Sequence, residues 1–220
     1  MGRHSERARK VLMDAAEELF ARDGVDVVSN RRITEHAGAS NHSAVAYHFG
    51  NRDELIQALL QRHLDDMAQR RAELVAALDP DAGLWDLVAC RILPMVEGFD
   101  ALPRPSWRAR FLNQVNSLPS LQNLLIGSHD GDEELWELGR RAVQAIDGVT
   151  PATSRARSSI LGHLVLGVCA KYEAEVEAGI QQGTWIDVGH FLTDAVTGML
   201  SAPVTHRSDY TIPVSSPQLL

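Results

Sequence analysis

Asn41, His42 and Ser43 form an unbroken run of side chains that can both donate and accept hydrogen bonds, and Tyr47 and His48 follow about one helical turn later. Such a run has the chemistry of a reader. Asparagine can pair bidentately with adenine, and neutral histidine or serine can meet several base edges. Serine and asparagine are also favoured helix-start residues, so capping is the competing role for all three. Tyr47 fits a backbone phosphate contact, and His48 divides between a phosphate contact and a packing role. Ser29 and Arg31 stand at one predicted helix start and Arg52 at another, where a positive helix end plus arginine holds phosphate. Surface ion pairing is the alternative for the arginines. Arg3, Arg7 and Arg9 either reach phosphates and the minor groove or belong to a free arm.

The elements that must position these residues run from Ser29 to Arg52. Ile33 and Ala37 give a helix over 30–37 one apolar face, with Ser29 as its N-cap and Gly38 as the turn. Val45 and Phe49, four apart, do the same for a second helix over 41–49, ended by Gly50. Asn51 and Glu54 then make a capping-box start for a long helix. This is the layout of a helix-turn-helix, in which one helix supports and the other enters the major groove.

Charge bears on that reading. The net charge is -8, but residues 1–52 hold 8 Lys/Arg against 7 Asp/Glu, while residues 53–220 hold 13 against 22. A small basic face on an acidic body suits nucleic acid at one end, although a solvated charge pattern would look the same. The nine histidines show no HxxxH or HExxH spacing, and no phosphate loop or Gly-x-Ser-x-Gly is present. No cofactor, metal site or enzymatic activity is expected. Cys90 and Cys169 lie far apart in apolar helical stretches, which fits buried thiols in a reducing cytoplasm. The longest apolar run, 160–170, is far short of the ~20 residues of a membrane helix.

The remainder reads as helical throughout. A first helix over 5–23 follows an arm of six residues and ends at Gly24. The helix opened by Asn51 runs to Pro80. Others are predicted over 82–98, 106–117, 120–128, 132–147, 151–179 and 186–201, with Pro94 kinking or shortening the first of these. Met67, Trp85, Met95, Phe99, Trp107, Phe111 and Trp136, with polar His63, Asn113 and Asn116, are available to a pocket or to the core. The last two helices are apolar over so wide an arc that they need burial on more than one side, supplied either by a second subunit, with Val168 and Leu192 then at the contact, or by the core of the monomer. Residues 204–220 lack periodicity and read as a loose tail.

Three stretches in order, VLMDAAEELFARDG, SNRRITEHAG and YHFGNRDELIQALL, resemble the TetR family of one-component transcriptional regulators. The interval from Gly38 to Tyr47 is one residue longer than the usual pattern, and Ala46 stands where many members carry an aromatic. The resemblance implies an all-α fold: a three-helix DNA-binding domain over 1–50, a helical ligand-binding and dimerisation domain over 51–203, and the tail. It implies a cytoplasmic homodimer joined by the last two long helices, a double-stranded pseudo-palindromic operator, and a largely apolar small-molecule effector that releases DNA. The alternatives are an activator on the same scaffold, or a helical dimeric binding protein without DNA activity.

Overall fold

The computed structural model describes residues 3–121, 124, 132–146 and 148–205, and every regular element among them is a helix. In chain order they are α1 (Arg3–Asp23), α2 (Asn30–His36), α3 (Ala44–Phe49), α4 (Arg52–Ala76), α5 (Leu84–Asp100), α6 (Arg108–Ser117), α7 (Glu133–Gln144), α8 (Pro151–Ala178) and α9 (Trp185–Ser201). The all-helical expectation holds. The helix predicted over 120–128 and the tail over 204–220 lie largely outside the described residues.

Local chemistry sets the helix ends. Ser29 Oγ accepts from Arg32 N–H at 3.2 Å, capping α2. Asn51 Oδ1 accepts from Glu54 N–H at 2.9 Å, and its amide donates to the Glu54 carboxylate at 2.8 Å. Thr150 caps α8, whose first residue is Pro151, and Thr184 with Asp187 forms a capping box on α9. The six-residue arm is shorter than predicted because α1 already begins at Arg3, with Glu6 in the first turn complementing the helix dipole. Helix α5 runs unbroken through Pro94, which is buried. The expected shortening does not occur, because packing against α9 outweighs the lost backbone bond.

One apolar core extends from α1 to α9. Helices α1, α2 and α3 pack together and against α4; α6 joins α1 to α8; α5 is held between α4, α7 and α9. Phe20 of α1 stacks on Phe111 of α6 with centroids 6.0 Å apart. At Gly189 of α9, an added Cβ would lie 2.6 Å from Val96 Cγ2 and 3.1 Å from Leu93 Cδ2, so only glycine allows this approach to α5. Leu192 is fully buried within the protomer, which corrects its expected place at a subunit contact; Val168 is half-buried. Cys90 and Cys169 are buried free thiols, and burial together with nearby Glu173 pushes Cys169 up to about 12.

Buried polar groups tie the helices together. Glu17 of α1 accepts from Arg108 of α6 at 2.7 Å and from Arg62 of α4. Arg62 also reaches Asp14 at 2.7 Å, and Arg108 reaches Asp66 at 2.9 Å. Burial, with Arg108 beside it, pulls the Arg62 guanidinium below its ordinary value. Glu173 of α8 accepts the α6 N-terminal N–H groups of Ala109 (3.2 Å) and Arg110 (3.0 Å), the Ser106 hydroxyl (3.0 Å) and Arg110 Nε (3.1 Å). No helix among the described residues is long and apolar enough to cross a membrane.

Candidate nucleic-acid interface

Helix α3 is too short to be stable by propensity alone, so its inner face must anchor it. Val45 and Phe49 are buried there, each side chain of that size contributing about 1.5–3 kcal/mol. Gly38, at φ +65°, ends α2 and makes the turn; Ala39 N–H returns to Thr34 carbonyl at 3.0 Å, the Schellman pattern. The loop that follows departs from the predicted helix over 41–49. Asn41 Oδ1 accepts from Ser43 N–H at 2.9 Å, and Ala44 N–H bonds the Asn41 carbonyl at 3.0 Å. This Asx turn delays the helix to Ala44. Asn41, His42 and Ser43 therefore project from the turn leading into α3, and all three are exposed.

On the outer face, Tyr47 is 79% exposed, its ring edge-on to His48 at 5.0 Å. His48 is half-buried, and its carbonyl accepts from Arg9 Nη1 at 2.8 Å. The Arg9 guanidinium also lies 4.2 Å from the Phe49 ring centre. Arg9 thus clamps the C-terminal end of α3 from α1; it does not belong to an arm. Arg7 is exposed on α1.

Arg52 points inward. Its guanidinium donates to the Val28 carbonyl at 2.6 Å and to the Val25 carbonyl, and lies 4.9 Å from the Phe20 ring centre. Burial draws it below its ordinary value. It fixes the segment between α1 and α2 onto the start of α4; Ser29 ends that segment as the α2 N-cap, and Arg31 lies in the first turn of α2. Arg31 is exposed and pairs with Glu35 at 2.7 Å across one turn of α2. Arg32 bridges to Asp23 at 2.8 Å and His36 meets Glu18 at 3.0 Å, both tying α2 to α1.

The geometry brings Ser29, Arg31, Asn41, His42, Ser43, Tyr47 and part of His48 to the outside of one small packed unit, with Arg52 beneath it. What such a surface can do is hydrogen-bond: it carries amide, imidazole, hydroxyl and guanidinium groups in water and no buried nucleophile. Among the described residues no cluster of His, Cys, Asp or Glu is arranged to hold a metal ion. Sequence reasoning missed the inward use of Arg9 and Arg52, because carbonyl partners 24 to 39 residues away leave no spacing signal.

A cavity of about 140 Å³ lies deeper in the body, walled by α4, α5 and α8 with single residues from α6, α7 and α9. Met67, Met95 and His63, singled out from sequence, line it. Trp85 instead donates to Asp194 at 2.7 Å near the surface, Trp107 takes the Arg110 guanidinium at 4.4 Å, and Trp136 is exposed.

Comparison with known proteins bears on both parts. Residues 12–59, which span α1 to the first turns of α4, match the model of bacterial regulatory proteins of the tetR family. The whole fold is similar to a TetR-like transcriptional regulator from Rhodococcus sp. RHA1, with TM-score 0.53 and 15% identity over 86% of this chain and 93% of that one. A candidate TetR-family regulator from Mesorhizobium loti MAFF303099 aligns at TM-score 0.47 and 16% identity, over 91% of this chain and 98% of its own. The packed helix-turn-helix unit thus carries the match to the tetR family of bacterial regulatory proteins over residues 12–59, and the larger helical body behind it shares its fold with the TetR-like regulator from Rhodococcus.

Proposed function

We propose that the protein is a ligand-responsive repressor that binds a pseudo-palindromic operator as a homodimer and is released by a small, largely apolar molecule. Residues 1–50 read the DNA, and residues 51–203 hold the effector and the second subunit. The observation that carries the reading is Tyr47, 79% exposed on the outer face of a helix whose inner face is buried. Asn41, His42 and Ser43 meet base edges from the turn, Tyr47, His48, Ser29 and Arg31 meet phosphates, and Arg52 positions the unit from beneath. Helix α4 supports a ligand response, since it packs on α3 and also lines the cavity through Leu60, His63, Leu64, Met67 and Arg71.

Selection of operators from a random pool tests the core of this reading: a palindrome with half-sites about one helical turn apart is expected. Binding should weaken steeply with salt as phosphate contacts release counterions. Tyr47→Ala should weaken operator binding about tenfold, with the helical signal in circular dichroism unchanged, because the side chain supports no core packing. Affinity indistinguishable from that for random DNA would reject the proposal.

Pairing of subunits rests on the outward residues of α8 and α9. Ile160 is 48% and Phe191 60% exposed, while their neighbours Leu161 and Leu192 are buried within the protomer. Changing Ile160 and Phe191 together to Glu should give monomers at micromolar concentration in sedimentation velocity, with helical content retained, because charged side chains would be desolvated at the contact. A dimer that survives both changes places the contact elsewhere.

A further inference from the structure

Arg91 stands out on the cavity wall. Its Nη1 is buried and has no hydrogen-bond partner. The other arginine of the wall, Arg71, is satisfied: α7 supplies Glu134 at 3.3 Å, and Asp132 just before α7 supplies a second carboxylate. Both of these acids are thus bound by Arg71, and no carboxylate lies at ion-pair distance from Arg91 among the described residues. His63, on the same wall, stacks on Phe99 with centroids 5.5 Å apart. The rest of the surface is hydrocarbon, including Leu60, Met67, Ile92 and Val165.

We propose that this cavity takes a compact organic monoanion, an aryl or short alkyl carboxylate, whose charge is met by Arg91 and whose apolar body fills the space between α4, α5 and α8. The inference deepens the effector reading above and rests on it. A guanidinium nitrogen buried with its hydrogen bond unmade is costly, and a carboxylate is the partner the planar fork of Arg91 fits best. Burial, with Arg71 adding to it, draws Arg91 down to about 10, so it still carries its charge at neutral pH. A phosphate ester would bring more charge and more acceptors than one unsatisfied arginine on a hydrocarbon wall can serve. The volume sets the size, since a cavity of roughly 150 Å³ holds a single benzene ring. Neutral amides of the same shape can still accept a hydrogen bond from Arg91 through the carbonyl oxygen, but they leave its charge uncompensated.

Titration calorimetry of the full chain with benzoate and hexanoate, against benzamide and hexanamide, tests the assignment. The wild type should prefer each acid over its amide by about 10- to 100-fold, the range of a charge-assisted hydrogen bond. Arg91→Met should bind acid and amide equally while melting no lower than wild type without ligand, since it removes a half-buried charge whose inner nitrogen, Nη1, had no hydrogen-bond partner. Arg91→Lys, which keeps the charge, should retain part of the preference. Equal binding of acids and amides by the wild type, no binding of either acid, or an unchanged preference in Arg91→Met would overturn the proposal. Operator release is measured separately: acids that bind with the expected preference but leave DNA bound support the site and reject its role as the effector site.

Discussion

Glu173→Ala should lower the stability of the folded chain by about 3–5 kcal/mol, the loss typical of breaking a buried ionic cluster from one side. Glu173 is 1% exposed. Its carboxylate gathers two backbone N–H groups from the start of α6, a serine hydroxyl and the Arg110 guanidinium. Alanine would leave those donors buried without an acceptor, and the first turn of α6 would lose the anion that complements its dipole. Arg110 would keep Glu177, at 2.6 Å, so its own charge stays paired and the damage concentrates at the helix start. Glu173→Gln should cost less, because the amide oxygen can still accept from the backbone. Urea unfolding followed by circular dichroism, at fixed protomer concentration, reads both values. A loss below about 1 kcal/mol for the alanine variant would mean that the cap contributes no more than an ordinary neutral hydrogen bond.

Glu17→Ala should be comparably severe, again about 3–5 kcal/mol, for a different reason. Here a single carboxylate, 6% exposed, separates two guanidinium groups. Without it Arg62 and Arg108 face one another, with only Asp14 and Asp66 at the edges to balance them. Adding Arg108→Met in the Glu17→Ala background should recover part of the loss, because the like-charge repulsion goes with the arginine. A double-mutant cycle measures that coupling, and strict additivity of the two changes would count against it. The cluster joins α1, α4 and α6, so the same variant should also alter operator affinity while leaving Tyr47 and the turn before α3 untouched.

Much of the reading head was legible from residue types because its determinants are local. Ser29 and Asn51 cap helices through side chains three residues from their partners, and Gly38 turns the chain through its own backbone. The four-residue spacing of Val45 and Phe49 identified the buried face for the same reason. The start of α3 was misjudged since asparagine serves a helix cap and an Asx turn alike, and only tertiary placement decides between them. Arg9 and Arg52 carry the same charge whether they face phosphate or a carbonyl, and their partners belong to other elements. Leu192 shows the limit of periodicity on a broadly apolar helix. A wide arc says that burial is needed, without saying which side is met by α5 of the same protomer. Arg91 gave no signal at all, because an arginine in an apolar helix usually snorkels to water.

The close approach at Gly189 also governs how the body can yield. With Val96 and Leu93 seated directly on the α9 backbone, there is no slack for α5 to slide against α9. These two helices act as one stiff plate, and Arg91, Ile92 and Met95 are mounted on it. On the proposed effector reading, a molecule entering the cavity would press against this plate, and any yielding would fall to the wall formed by the other helices. Helix α4 belongs to that wall, and its first turn holds Arg52 and, through it, the segment between α1 and α2.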